Sequence, residues 1–94
     1  MTKEILKDLV NEVLNKNEEV TIRLNLEDNE KNDTFYIRNA LRVNIENDVL
    51  FIEDNLSEYS DFVVSNNRYY VKLEYIKVLE IYDTNYKTKL LLTF

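Results

Sequence analysis

Six carboxylates and no base fall within residues 43–67: Glu46, Asp48, Glu53, Asp54, Glu58 and Asp61. The charge of that one segment equals the −6 of the whole chain. Carboxylates spaced along an exterior can present a negative surface to a basic partner, which speeds encounter and rejects wrong partners. They can also simply keep a solvated loop in solution. A third use is metal binding, with Asp54, Glu58 and Asp61 offering oxygen to Ca²⁺ or Mg²⁺. Their spacing matches no known loop, and the chain has no glycine for the sharp turn such a loop needs. No metal and no cofactor is expected.

A second group of residues is aromatic and cationic. Tyr36, Arg38 and Arg42 fall on the outward phase of one strand pattern, Tyr70 and Lys72 on the outward phase of a later one. If the two faces adjoin, rings and cations together form a platform for single-stranded RNA or DNA. The net charge of −6 works against this, because cations dominate affinity for phosphate. The plain alternative is an ordinary sheet face, or one sealed by a subunit contact.

Covalent and acid–base chemistry has little to work with. Histidine, cysteine and glycine are all absent. That removes the commonest general base, the thiolate nucleophile, disulfides and the glycine-rich phosphate loop. Ser57, Ser60 and Ser65 have no histidine to activate them. A glycosidase-like carboxylate pair needs a cleft that 94 residues around one small core hardly provide. The chain is read as a non-enzyme.

The elements that must position these residues follow from periodicity. Residues 3–16 read as a helix, with Ile5, Leu6, Leu9, Val10, Val13 and Leu14 on one stripe. Thr2 is the expected N-cap, and Asn15 or Asn17 closes the helix. Val20, Ile22, Leu24 and Leu26 alternate with polar residues as a half-buried strand. Residues 27–33 read as a polar loop. One long strand then runs over Phe35–Glu46, with Phe35, Ile37, Leu41, Val43 and Ile45 inward and Tyr36, Arg38, Ala40, Arg42, Asn44 and Glu46 outward. Asn39 interrupts it as a bulge or bend. Asn47-Asp48 is a hairpin turn before the returning strand Val49–Glu53.

Residues 54–67 look irregular, with Phe62-Val63-Val64 as a short strand. Strands at Arg68–Glu74 and Val78–Tyr82, a turn at Asp83–Asn85 and a last strand at Lys89–Phe94 complete the pattern. With neither glycine nor proline, left-handed turn positions fall to Asn and Asp, and Asn occurs thirteen times. The expectation is a single α+β domain over 1–94: a helix at 3–16 packed on a strongly bent five- to six-stranded antiparallel sheet or small barrel at 19–94. The last strand, Leu90-Leu91-Leu92-Thr93-Phe94, is apolar on both faces, which points to a homo-oligomer through strand edges.

This arrangement resembles the Sm/SH3-like small β-barrel. The resemblance rests on the helix, the strand Glu19–Leu26, the long bent strand with its returning partner, and the phrase Tyr69–Ile81. Within that group the chain is similar to YolD-like proteins of Gram-positive bacteria and their phages. The matching phrases are Asn17-Glu18-Glu19-Val20-Thr21-Ile22 and Tyr75–Ile81. The resemblance implies a strand, one tight turn and another short strand over Tyr69–Ile81, and assembly through strand edges. The chain departs from the pattern in lacking glycine and in the longer, more acidic stretch 54–67. In size, acidity and lack of catalytic residues it also resembles, in style, small phage inhibitors that imitate DNA, such as anti-CRISPR and glycosylase-inhibitor proteins.

Two functional expectations result. The first is a small acidic cytoplasmic binding protein of phage or mobile-element type. It would occupy a basic, nucleic-acid-binding site on a host protein through Glu46, Asp48, Glu53, Asp54, Glu58 and Asp61. The second is an oligomeric module that binds single-stranded nucleic acid or nucleotide on Tyr36, Arg38, Arg42, Tyr70 and Lys72. Neither involves a membrane, since the longest apolar run, Val49–Ile52, is far too short to span one.

Overall fold

The computed structural model describes residues 2–54 and 67–94. Helix α1 (Lys3–Lys16) starts where Thr2 Oγ1 accepts the Ile5 N–H at 3.2 Å. It ends at Asn17, whose side-chain amide donates to the Val13 carbonyl at 2.8 Å. Leu6, Val10 and Leu14, spaced four apart, are buried. Ile5 is half exposed, so the apolar stripe is narrower than the sequence pattern suggests.

Seven strands follow among the described residues: β1 (Val20–Asp28), β2 (Lys31–Arg38), β3 (Ala40–Glu46), β4 (Val49–Asp54), β5 (Arg68–Lys72), β6 (Ile76–Asp83) and β7 (Thr88–Thr93). A single 3₁₀ turn, Leu73–Tyr75, joins β5 to β6. The strands form two antiparallel sheets, one ordered β2-β1-β6-β7 and the other β3-β4-β5. The protein is therefore α+β. The expected single five- to six-stranded sheet or closed barrel is corrected to two sheets that do not close.

The correction has two local causes. Residues 27–33 are not a loop: β1 and β2 pair out to Asp28↔Lys31, leaving a two-residue turn at Asn29 (φ 55°). A ladder satisfies its own backbone groups, so polar residues can extend it without any core face. The expected long strand is also two strands. Asn39 (φ 55°) divides β2 from β3, which belong to different sheets. The register with β4 then shifts between Ala40 and Arg42, which puts Ala40 inside and Leu41 43% exposed, the reverse of a regular alternation. The short strand expected at Phe62-Val63-Val64 lies outside the described residues.

One core fills the space between the sheets and α1. Val10, Ile22, Leu24, Leu50, Ile52, Leu79 and Ile81 are essentially fully buried. Each contributes roughly 1.5–3 kcal/mol of hydrophobic stabilisation, an upper bound. One helix side chain is hydrogen-bonded to the backbone of the second sheet. Asn11 Nδ2 donates to the Val43 carbonyl at 2.9 Å, and its Oδ1 accepts the Val43 N–H at 3.0 Å. Among the described residues strand β3 is a sheet edge, and this amide caps it at Val43 as a neighbouring strand would.

Candidate functional site

The antiparallel register decides which of the expected site residues meet. Across the second sheet, Arg42 pairs with Glu53 and Glu53 with Arg68. The next outward row is Asn44, Phe51 and Tyr70, and the last is Glu46, Val49 and Lys72. Strand β4 alternates Leu50, Ile52 and Asp54 into the interior with Val49, Phe51 and Glu53 outward. The outward face is thus an aromatic centre between two polar rows. Phe51 and Tyr70 meet edge to face, with centroids 4.9 Å apart and an interplanar angle of 84°. Tyr70 stays 60% exposed. Lys7 reaches the same open cleft of about 550 Å³ from α1.

Arg42 makes an ion pair with Glu53, whose side chain is only 12% exposed while that of Arg42 is 68% exposed. The hydrogen bond that Arg42 donates to Glu53, and then the charge of that carboxylate, raise the Arg42 pKa further, so this guanidinium stays cationic. Lys72 stands at the far end, its Nζ 5.7 Å from the centre of the Tyr75 ring. Arg42, Tyr70 and Lys72 therefore share a face, joined by Lys7, Phe51 and Arg68.

Tyr36 and Arg38 do not join them. They lie on β2, in the other sheet, because Asn39 separates the strands. Their row-mates come from β1 and β6: Arg38 with Thr21 and Tyr82, Tyr36 with Arg23 and Glu80.

The acidic group divides differently. Asp48 pairs with Lys3 and Glu53 with Arg42. Asp54 is 3% exposed and accepts the Asn67 N–H and the Tyr69 hydroxyl, both at 2.9 Å. Burial, and then the bond to Asp54, raises the Tyr69 pKa, so the phenol holds its proton and remains the donor. Asp54 thus faces the interior, and both its oxygens are engaged. Glu46 is exposed at the end of β3. Glu58 and Asp61 lie outside the described residues. Among the described residues no group of three carboxylates could hold a metal ion, and no helix is long and apolar enough to cross a membrane.

The sequence pattern overlooked Lys7, Phe51 and Arg68. Arg68 was within reach, since it shares the alternation of Tyr70 and Lys72. Phe51 needed the β4–β5 register, and Lys7 needed the docking of the helix.

No family model, no curated protein and no solved structure matches this chain.

Proposed function

We propose that this chain is a non-enzymatic binding module that takes single-stranded nucleic acid, or its nucleotide unit, on the outer face of the β3-β4-β5 sheet. One observation carries the reading. On a chain of net charge −6, Lys7, Arg42 and Arg68 share a cleft with an exposed ring, Tyr70, that Phe51 meets edge-on, and Lys72 stands one row further along the same face. A base stacks on a tyrosine face whatever its sequence, and cations on either side take the flanking phosphates. Glu53, set between Arg42 and Arg68, orients the guanidinium without cancelling the row. Glu46 and the overall acidity restrict affinity to short segments, and the contacts of the cations with phosphate make it salt-dependent.

The test is filter retention or fluorescence anisotropy with labelled oligouridine and oligothymidine at low salt. Saturable binding that weakens with salt is expected, and no retention of either probe overturns the proposal.

A second reading keeps a basic host-protein site as the target. It is favoured by the exposed end of the β1–β2 hairpin, where Glu27, Asp28, Glu30 and Asp33 accompany the single base Lys31. Reversing these four to lysine should abolish capture of a basic partner in a pull-down while the fold survives; unchanged capture removes this reading.

A further inference from the structure

Five described residues have left-handed backbone: Asn29, Asn39, Asn47, Asp48 and Tyr86. Four of them are the types that tolerate a positive φ at little cost. Tyr86, at φ 60°, is the exception, and a bulky side chain there is strained. Burial does not offset the strain, because Tyr86 is 83% exposed.

The turn that holds Tyr86 is built by other groups. Asp83 Oδ1 accepts the N–H groups of Asn85 at 2.9 Å and Lys87 at 3.0 Å. The Tyr86 N–H donates to the Asp83 carbonyl, and the Asp83 N–H to the Lys87 carbonyl, each at 3.0 Å. Asparagine at position 86 would make the same backbone bonds with less strain. What tyrosine adds is a ring held out from the surface, and strain of this kind is a mark of function.

That ring lies 5.9 Å from Tyr82 and is tilted 32° to it. Two shallow clefts meet along the Tyr82–Tyr86 ridge. One is lined by Tyr36, which is 59% exposed, and the other by Arg38 and Glu19. The charges of this face are largely closed on themselves. Arg23 pairs with Glu80 at 3.0 Å, and Lys89 with Asp83 at 3.6 Å. Among the described residues that line the two clefts, Arg38 and Glu19 are left, one of each sign.

A phosphate polymer finds no excess of cations here. A polyproline-II segment suits the face better: its apolar rings pack on tyrosine, and its carbonyls, free of internal hydrogen bonds, accept from phenol hydroxyls and from Arg38. Glu19 offers a partner to one basic residue at the end of such a segment. We infer that the outer face of the four-stranded sheet docks a proline-rich segment of another protein, with Tyr36, Tyr82 and Tyr86 as the ring contacts. The sequence itself contains no proline, so the occupant comes from outside it.

The test titrates the full chain with a synthetic polyproline peptide carrying one terminal arginine, against a glycine–serine peptide of equal length, followed by amide NMR shifts. Saturable shifts on β1, β2, β6 and the β6–β7 turn are expected with the proline peptide alone. Tyr86→Asn should weaken binding at least tenfold while raising the thermal midpoint, and Tyr36→Ala should weaken binding without that rise. Equal response to both peptides, unchanged affinity in Y86N, or a lower midpoint in Y86N overturns the inference. So does oligouridine displacing the peptide from this face.

Discussion

The two sheets carry outer faces made from the same kinds of residue, tyrosine and arginine, and use them in opposite ways. On β3-β4-β5 the ring is met edge-on by Phe51 from the neighbouring strand, and the cations around it outnumber the acids. On β2-β1-β6-β7 the ion pairs are internal, and one ring is held by a strained turn. Identical side chains thus build a charged platform in one place and a neutral, ridged one in the other. The balance of neighbours, set by strand register, makes the difference.

Four measurements probe that contrast. The largest effect is expected from reversing Arg42 and Arg68 to glutamate together, which should lower oligouridine affinity by at least about a hundredfold. The polyproline response of the other sheet should be unchanged; loss of both responses in a folded variant would show that the faces are not independent. Next, Asn11→Ala removes two hydrogen bonds and leaves the Val43 amide and carbonyl without their partner, so about 1–3 kcal/mol of stability should be lost. Hydrogen exchange should locate the loosening in β3 and α1. Uniform loosening across both sheets would mean that they unfold as one unit.

Tyr70→Ala should weaken oligonucleotide binding by about tenfold, the lower part of the range for losing one stacked base. It should hardly alter the salt dependence, because no phosphate contact is lost.

The smallest effect is an acid sensitivity of the four-stranded sheet. Hydrogen bonds from Thr88, then from Arg23, lower the Glu80 pKa, and the Lys87 amide most of all lowers that of Asp83. Carboxylates depressed on folding stabilise the native state above their unfolded pKa values, about 4. That contribution is lost as pH falls through the lower folded values. Thermal melts should therefore show the β6–β7 hairpin weakening below about pH 4, and Asp83→Asn should flatten that slope. An unchanged slope in D83N would place the sensitivity elsewhere.

Much of the fold was legible because it depends on local periodicity and turn chemistry. The Thr2 cap, the Asn47-Asp48 hairpin (φ 51° and 64°) and the strand–turn–strand run from Arg68 to Asp83 all follow from patterns a few residues long. The division of Phe35–Glu46 was not legible. A bent strand and two strands in different sheets share one alternation until Asn39 is seen to reset it. The site split along the same line. Tyr36 and Arg38 went with one sheet, Arg42, Tyr70 and Lys72 with the other. The burial of Asp54 was hidden for a related reason. It continues the interior phase of Leu50 and Ile52, but a carboxylate at such a position reads as exterior until Tyr69 and the Asn67 amide are placed beside it.

Asn11 has a consequence that reaches past the edge it closes. Lys7 precedes it by one helical turn on the same side of α1, and Lys7 lines the cleft beside Arg42 and Phe51. Because both polar atoms of one side-chain amide must meet the N–H and the C=O of one residue, Val43, the helix is held like a key in its wards. It can neither slide nor roll without losing the fit. A residue remote from any ligand thereby sets where the fourth cation stands.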